Sequence, residues 1–203
     1  MPRGFEPVPR KRRWGLIITA IALGGLVLLV GFAAAVFVLV NNLGNTAPGP
    51  APDLACTGKT LYKDTAHGFS YCRASSWQMY NRSGIVGFLA PLESPSDTFH
   101  ENINTVTETT PLGMSLVDYR DASVRNLKAA GYNVVSQTEV AIGPETAWRV
   151  EYTGQASGIL VHSEATVFLH GRMGLVFTYV AQEGHQDSAL GQAHEAAASL
   201  RFG

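Results

Sequence analysis

The sequence predicts an α+β domain, an antiparallel β-sheet flanked by helices, behind one N-terminal transmembrane helix. Three observations predict it. Residues 15–40 carry no charge. Apolar residues then alternate in short runs separated by turn residues, the mark of half-buried strands. Twice the spacing switches to that of a helix, from Ser115 to Gly131 and from Asp187 to Leu200.

The chain of 203 residues divides into four segments. Residues 1–14 form a basic tail, with Arg3, Arg10, Lys11, Arg12 and Arg13 against Glu6. Residues 15–40, GLIITAIALGGLVLLVGFAAAVFVLV, exceed the ~20 apolar residues that cross a hydrocarbon core of ~30 Å. Lys and Arg are retained on the cytoplasmic side, so the RKRR flank places the N-terminus inside and the C-terminus outside a bacterial plasma membrane. A cleaved signal peptide fits less well, because its apolar core runs to only ~7–15 residues. Residues 41–55 form a linker rich in Pro, Gly and Asn, with too few large apolar side chains for a core. Residues 56–203 form the extracytoplasmic α+β domain. The whole chain carries a net charge of −1 and the tail is four net positive, which leaves −5 for everything after it. That acidity argues against a nucleic-acid partner, since phosphate binding needs clustered cations.

Cys56 and Cys72 are the only cysteines, and both fall on the outer side. An oxidising compartment favours their pairing as a disulfide. Closing a loop of ~15 residues is worth ~3 kcal/mol on chain entropy.

Strands are expected at Phe69–Arg73, Gly84–Ala90, where Pro91 stops the run, and Asn102–Thr107. Ser115-Leu-Val-Asp118 has the form of a capping box. From there Leu116, Tyr119, Ser123, Leu127 and Ala130 share a helical face, and Gly131 supplies the stop. Val134–Ile142 returns to strand and ends at Gly143-Pro144. Trp148, Val150 and Tyr152 alternate with Arg149, Glu151 and Thr153, so the first set is expected in the core and the second in water. Val161, Ala165, Val167 and Leu169 behave similarly, and a turn at Gly171–Gly174 leads into Leu175–Ala181. Leu190, Ala193, Ala197 and Leu200 fall at helical spacing. Short turns between strands imply antiparallel pairing. The expected architecture is one sheet, with helices before and after a three- or four-stranded meander.

Gly68-Phe69-Ser70 followed by Trp77, the Val86-Gly-Phe88 strand ahead of Ser94-Pro95-Ser96-Asp97, Ser115-Leu116 with Tyr119, and the turn from Gly143 to Ala147 resemble motifs of the PsbP-like family. That family includes the photosystem II extrinsic subunit, a Ran-binding nuclear import factor and DcrB-type bacterial envelope lipoproteins. The Pro and Gly that precede the Trp in the family are Ala74 and Ser76 here. The resemblance implies the fold and a non-catalytic envelope protein.

No hydrolase elbow, P-loop or dinucleotide fingerprint is present. His67, His100, His162, His170, His185 and His194 include no His-x-x-x-His pair, so no metal or cofactor is expected. Glu101, Glu108, Glu145 and Glu151 could supply an acid/base pair only if the fold brought two together. Trp77, Tyr80 and Phe88 are expected in the core, with a ligand groove as the alternative. The expected function is a membrane-tethered interaction or ligand-binding module, with an envelope protein or a small apolar ligand as partner. The alternative is an envelope enzyme whose site is assembled from scattered residues.

Overall fold

The computed structural model describes residues 49–82, 85–185 and 187–203. The span expected at 15–40 lies outside them, and no helix among the described residues is long and apolar enough to cross a membrane.

Among the described residues ten strands and two helices follow in order. They are β1 (Lys59–Asp64), β2 (Phe69–Ala74), β3 (Gln78–Arg82), β4 (Ile85–Leu89), β5 (Asn102–Thr109), α1 (Leu116–Ala129), β6 (Asn133–Ile142), β7 (Glu145–Ala156), β8 (Ile159–His170), β9 (Met173–Gln182), α2 (Asp187–Ala198) and β10 (Arg201–Phe202). The main sheet has seven strands in the order β3-β4-β5-β9-β8-β7-β6, and every neighbouring pair is antiparallel. The expected four-stranded meander between the helices is β6 to β9. The sheet continues past β9 into β5, β4 and β3, which the sequence reading left unjoined. A second sheet, β1-β2-β10, was not expected; it uses the C-terminus to cover β2.

Local chemistry explains the helix bounds. The Ser115 hydroxyl accepts from the Asp118 amide at 3.1 Å, and the Asp118 carboxylate accepts from the Ser115 amide at 3.3 Å. Together these satisfy two amides that the first turn leaves without partners. At the other end Gly131 has φ 88°, and the Tyr132 amide donates to the Leu127 carbonyl at 3.0 Å. Only a residue without Cβ takes that left-handed turn freely.

The two faces of the main sheet carry separate cores. One face packs against α2 and the small sheet through Phe69, Tyr71, Phe88, Phe168 and Phe177, each buried to 2% exposure or less. Trp77 joins them and donates its indole N–H to Gln192 Oε1 of α2 at 2.6 Å. The opposite face packs against α1 through Tyr119, Val124 and Leu127, with Val150, Tyr152, Ala165 and Val167 beneath. Tyr119 lies directly over Gly174, where any Cβ would collide with its ring.

Strand β7 departs from the expected alternation in two respects. Val150 and Tyr152 are buried, but Trp148 is half-buried, with the Arg120 guanidinium 4.0 Å above its ring. Arg149 and Glu151 do not face open water. They are half-buried and paired with β8, Arg149 with Glu164 and Glu151 with His162, and α2 reaches the same group through His194 on Glu164.

Cys56 and Cys72 form a disulfide, with Cα atoms 5.4 Å apart. It ties the chain entering β1 to β2, whose Cys72 amide donates to Ser199 Oγ just after α2. The chain ahead of Cys56 also packs. Ala51 is buried, the Ser70 hydroxyl donates to the Pro52 carbonyl at 2.7 Å, and Lys63 pairs with Asp53 at 2.7 Å.

Candidate functional site

Two constellations stand out, one on each face of the main sheet. The first is a ladder of charge on the α2 side, built from β7, β8, β9 and α2. Glu164 Oε1 meets His194 Nε2 at 2.6 Å and Arg149 Nε at 3.1 Å. Glu151 Oε1 meets His162 Nε2 at 2.7 Å, and its second oxygen accepts from the Ser136 hydroxyl at 2.9 Å. Glu183 lies 3.6 Å from the other nitrogen of His162. The strand register causes this, since β7 and β8 pair Glu151 with Glu164 and Thr153 with His162. The register sets Glu151 directly opposite Glu164, a like-charge pair that Arg149 and the His162 imidazole relieve from diagonal positions. The two glutamates on His162 contact opposite edges of its ring, so their oxygens do not converge with it on one ion. Among the described residues no three His, Cys, Asp or Glu side chains group as a metal site.

The other sequence candidates separate. His67 caps a turn against Asp64, and His170 faces Glu145 at 3.3 Å. His100 bonds the Ala90 carbonyl at 2.7 Å. His185 is also partnered. Trp77 and Phe88 are core, which resolves the aromatic trio against a groove at that place, while Tyr80 points to the opposite face and lies over Gly87. Glu101 is almost fully buried, and one of its oxygens has no partner among the described residues. Burial raises its pKa, and the charges of Asp97 and Glu93 add to the rise.

The second constellation is a groove on the α1 side. Helix α1 lies over β6, β7 and β8. Beyond it, β9, β5 and β4 continue the same sheet face. The floor holds Val106, Val176 and Thr178, and the α1 wall holds Ser123 and Leu127. The void measures about 30 Å³, within about 510 Å³ of space that opens to solvent. At one end Tyr119 donates its hydroxyl to Glu108 Oε1 at 2.8 Å. Burial, with the Glu108 charge second, raises the Tyr119 pKa far above its ordinary value, so the phenol stays protonated as a donor.

Asn104 is the next residue on this face of β5, in the period-two series with Val106 and Glu108. It lies directly across from Thr178 on one side and Gly87 on the other. It is 1% exposed, and neither end of its amide has a hydrogen-bond partner among the described residues. The buried Tyr80 hydroxyl, over Gly87, is equally without one. Sequence reasoning did not single out Asn104. Its only signal was a polar residue amid a β-branched run, NINTVT.

No family profile matches the sequence, and no curated protein matches it. Solved structures do. The cyanobacterial PsbP protein (CyanoP) of Synechocystis sp. PCC 6803 aligns over 76% of this chain and 98% of its own, at a TM-score of 0.57 and 16% identity. LpqN of Mycobacterium tuberculosis, described as involved in cell envelope biogenesis, aligns over 71% of this chain and 84% of its own, at 0.50 and 13%. A protein of Bacteroides thetaiotaomicron aligns at 0.53 and 18%, over 72% of this chain, which spans about half (48%) of that longer protein. The domain has a PsbP-like fold. At these identities the likeness is one of fold.

Proposed function

We propose that this chain is a non-catalytic binding module of the bacterial cell envelope, held at the outer face of the plasma membrane by residues 15–40. The observation that carries this reading is the Cys56–Cys72 disulfide, which belongs in an oxidising compartment on the far side of the RKRR flank. Two features support it. The ionisable groups that the fold brings together are committed to one another as ion pairs, and the PsbP-like fold is shared with LpqN. The packing of Ala51 to Asp53 shortens the tether. Residues 41–48 at full extension span at most roughly 30 Å, which bounds the distance between the domain and the lipid.

A reporter active only outside the cytoplasm tests the orientation. Fused to the C-terminus it should give signal, and fused to the N-terminus it should give none. Alkylation of the folded protein before reduction should label neither cysteine. Proximity labelling from the C-terminus should enrich envelope proteins. Signal from the N-terminal fusion alone would overturn the reading.

A further inference from the structure

We propose that the β5–α1 loop is a lipid contact, with Leu112 entering the outer leaflet of the membrane that anchors the chain. This rests on the anchored reading above and adds which end of the domain meets lipid. Leu112 is 82% exposed, the most exposed large apolar side chain among the described residues. Pro111 and Gly113 beside it are exposed too, and Val117, in the first turn of α1, is 45% exposed. Single exposed apolar residues are ordinary on a protein surface, and Met79, Val135 and Leu160 are such cases. Leu112 differs in its backing and in its place. The Thr110 amide and hydroxyl both donate to the Arg172 carbonyl, at 2.8 and 3.1 Å, and Arg172 Nε donates to the Thr110 carbonyl at 3.3 Å. The Met114 amide closes a turn onto the Pro111 carbonyl at 3.3 Å, and Ser115 caps α1 directly after it. The leucine therefore stands on a loop already held in shape, so its burial in lipid costs little further ordering.

Its place follows from the strand register. Thr109 pairs with Met173, so the loop leaves the sheet beside the β8–β9 turn. At that same end the Phe202 ring stacks on His170, with centres 4.6 Å apart, and Gly203 lies against Gly49 and Pro50, where the described chain begins. Strands β8 and β5 are separated only by β9, which sets them ~10 Å apart. The chain thus enters the domain at the end that carries Leu112, and residues 41–48 allow at most roughly 30 Å between that end and residue 40. Burying one leucine shifts an equilibrium by only roughly ten- to a hundredfold, too little to hold a free protein on a bilayer. A tethered domain needs no more, because the tether makes the contact intramolecular. Asp118 and Arg172 flank the loop with opposite charges, and each is bonded within it, Asp118 to Ser115 and Arg172 to Thr110. Neither sign dominates, so a zwitterionic lipid surface suffices.

The test places a nitroxide on Leu112→Cys in the full chain, in phosphatidylcholine nanodiscs. Cys56 and Cys72 are paired, so the introduced thiol is the only free one. Leu160→Cys, 56% exposed at the opposite end of the sheet, is the control. Oxygen partitions into lipid and a nickel chelate stays in water. Relative to the chelate, oxygen should relax the label at position 112 several times more strongly than the label at position 160. A label on Val117→Cys, with Leu112 in place, should also report lipid, and adding Leu112→Asp should return it to water. Equal ratios at positions 112 and 160 would overturn the proposal, as would a Val117 label indifferent to Leu112→Asp. If the label at position 112 is aqueous while the chain stays with the discs, the lipid contact is wrong, the anchored reading stands, and Leu112 is left for a protein partner. A chain that does not travel with the discs would overturn both.

Discussion

The two faces of the seven-stranded sheet are built from the same strands and solve burial differently. On the α2 face, aromatic rings interlock. Tyr71 meets Phe177 and Phe88 edge-on, with ring centres 5.4 and 6.2 Å apart, and Tyr62 packs on both Tyr71 and Phe88. Where the rings end, the ladder takes over and gives each of Glu164 and Glu151 a neighbouring side chain as partner. On the α1 face, a mixed set of Val, Ala, Leu and Tyr side chains meets a helix that covers only part of the sheet. Buried polar atoms without partners among the described residues occur on both faces, the Tyr71 hydroxyl on the α2 side and the Asn104 amide on the other. What separates the faces is cover: the rings of one interlock, and the helix on the other stands beside a void.

That comparison is sharpened first by truncating one aromatic on each face. Phe177→Ala removes a ring at 2% exposure and should cost about 3–5 kcal/mol. Trp148→Ala, on the α1 face, removes a half-buried ring whose outer side is covered by Arg120, and should cost about 2 kcal/mol. Urea unfolding of both variants measures the difference. Equal costs would mean that the faces are packed alike.

A smaller effect is expected in the ladder. Glu164→Ala strips the partner from both Arg149 and His194. All three side chains keep some exposure, 15%, 29% and 36%, so screening limits the loss to about 1–2 kcal/mol. No measurable change on thermal unfolding would reduce the ladder to a solvated surface.

The smallest effect concerns pH. The folded pKa of Glu101 is raised by burial, so the native state holds its proton more tightly than the unfolded chain does. The stability it contributes is fully present below the ordinary value of 4.5 and is lost as pH rises through the raised folded value. Glu101→Gln mimics the neutral acid. It should be more stable than the native protein at pH 7, and the gain should vanish below about pH 4. A gain of the same size at both pH values contradicts the assignment.

What the sequence made legible was local. The capping box at Ser115 and Asp118, the Gly131 stop, the meander from β6 to β9 and the cysteine pair all rest on residues near one another in the chain. What it hid depends on register and distant contact. Strands β1, β3 and β10 are short or lie at sheet edges, with weak alternation, and β10 is visible only once Phe202 is seen beside Phe69 of β2. Arg149 and Glu151 read as a solvated face because nothing in β7 announces that His194, on a helix far along the chain, will lie over Glu164. Asn104 read as one polar residue in a strand. Its lack of partners becomes visible only when Thr178 and Gly87 are placed on either side of it.

Native-state hydrogen exchange on the full chain in nanodiscs tests the difference between the faces most directly. Helix α1 is well capped yet rests beside a void, whereas β9 is paired on both sides and carries the aromatic core. Amides of α1 from Tyr119 to Leu127 should therefore exchange through an opening that costs less than global unfolding, while those of β9 from Leu175 to Tyr179 exchange only with it. If α1 and β9 exchange at the same free energy, α1 is a fixed part of the core and the two faces are packed alike.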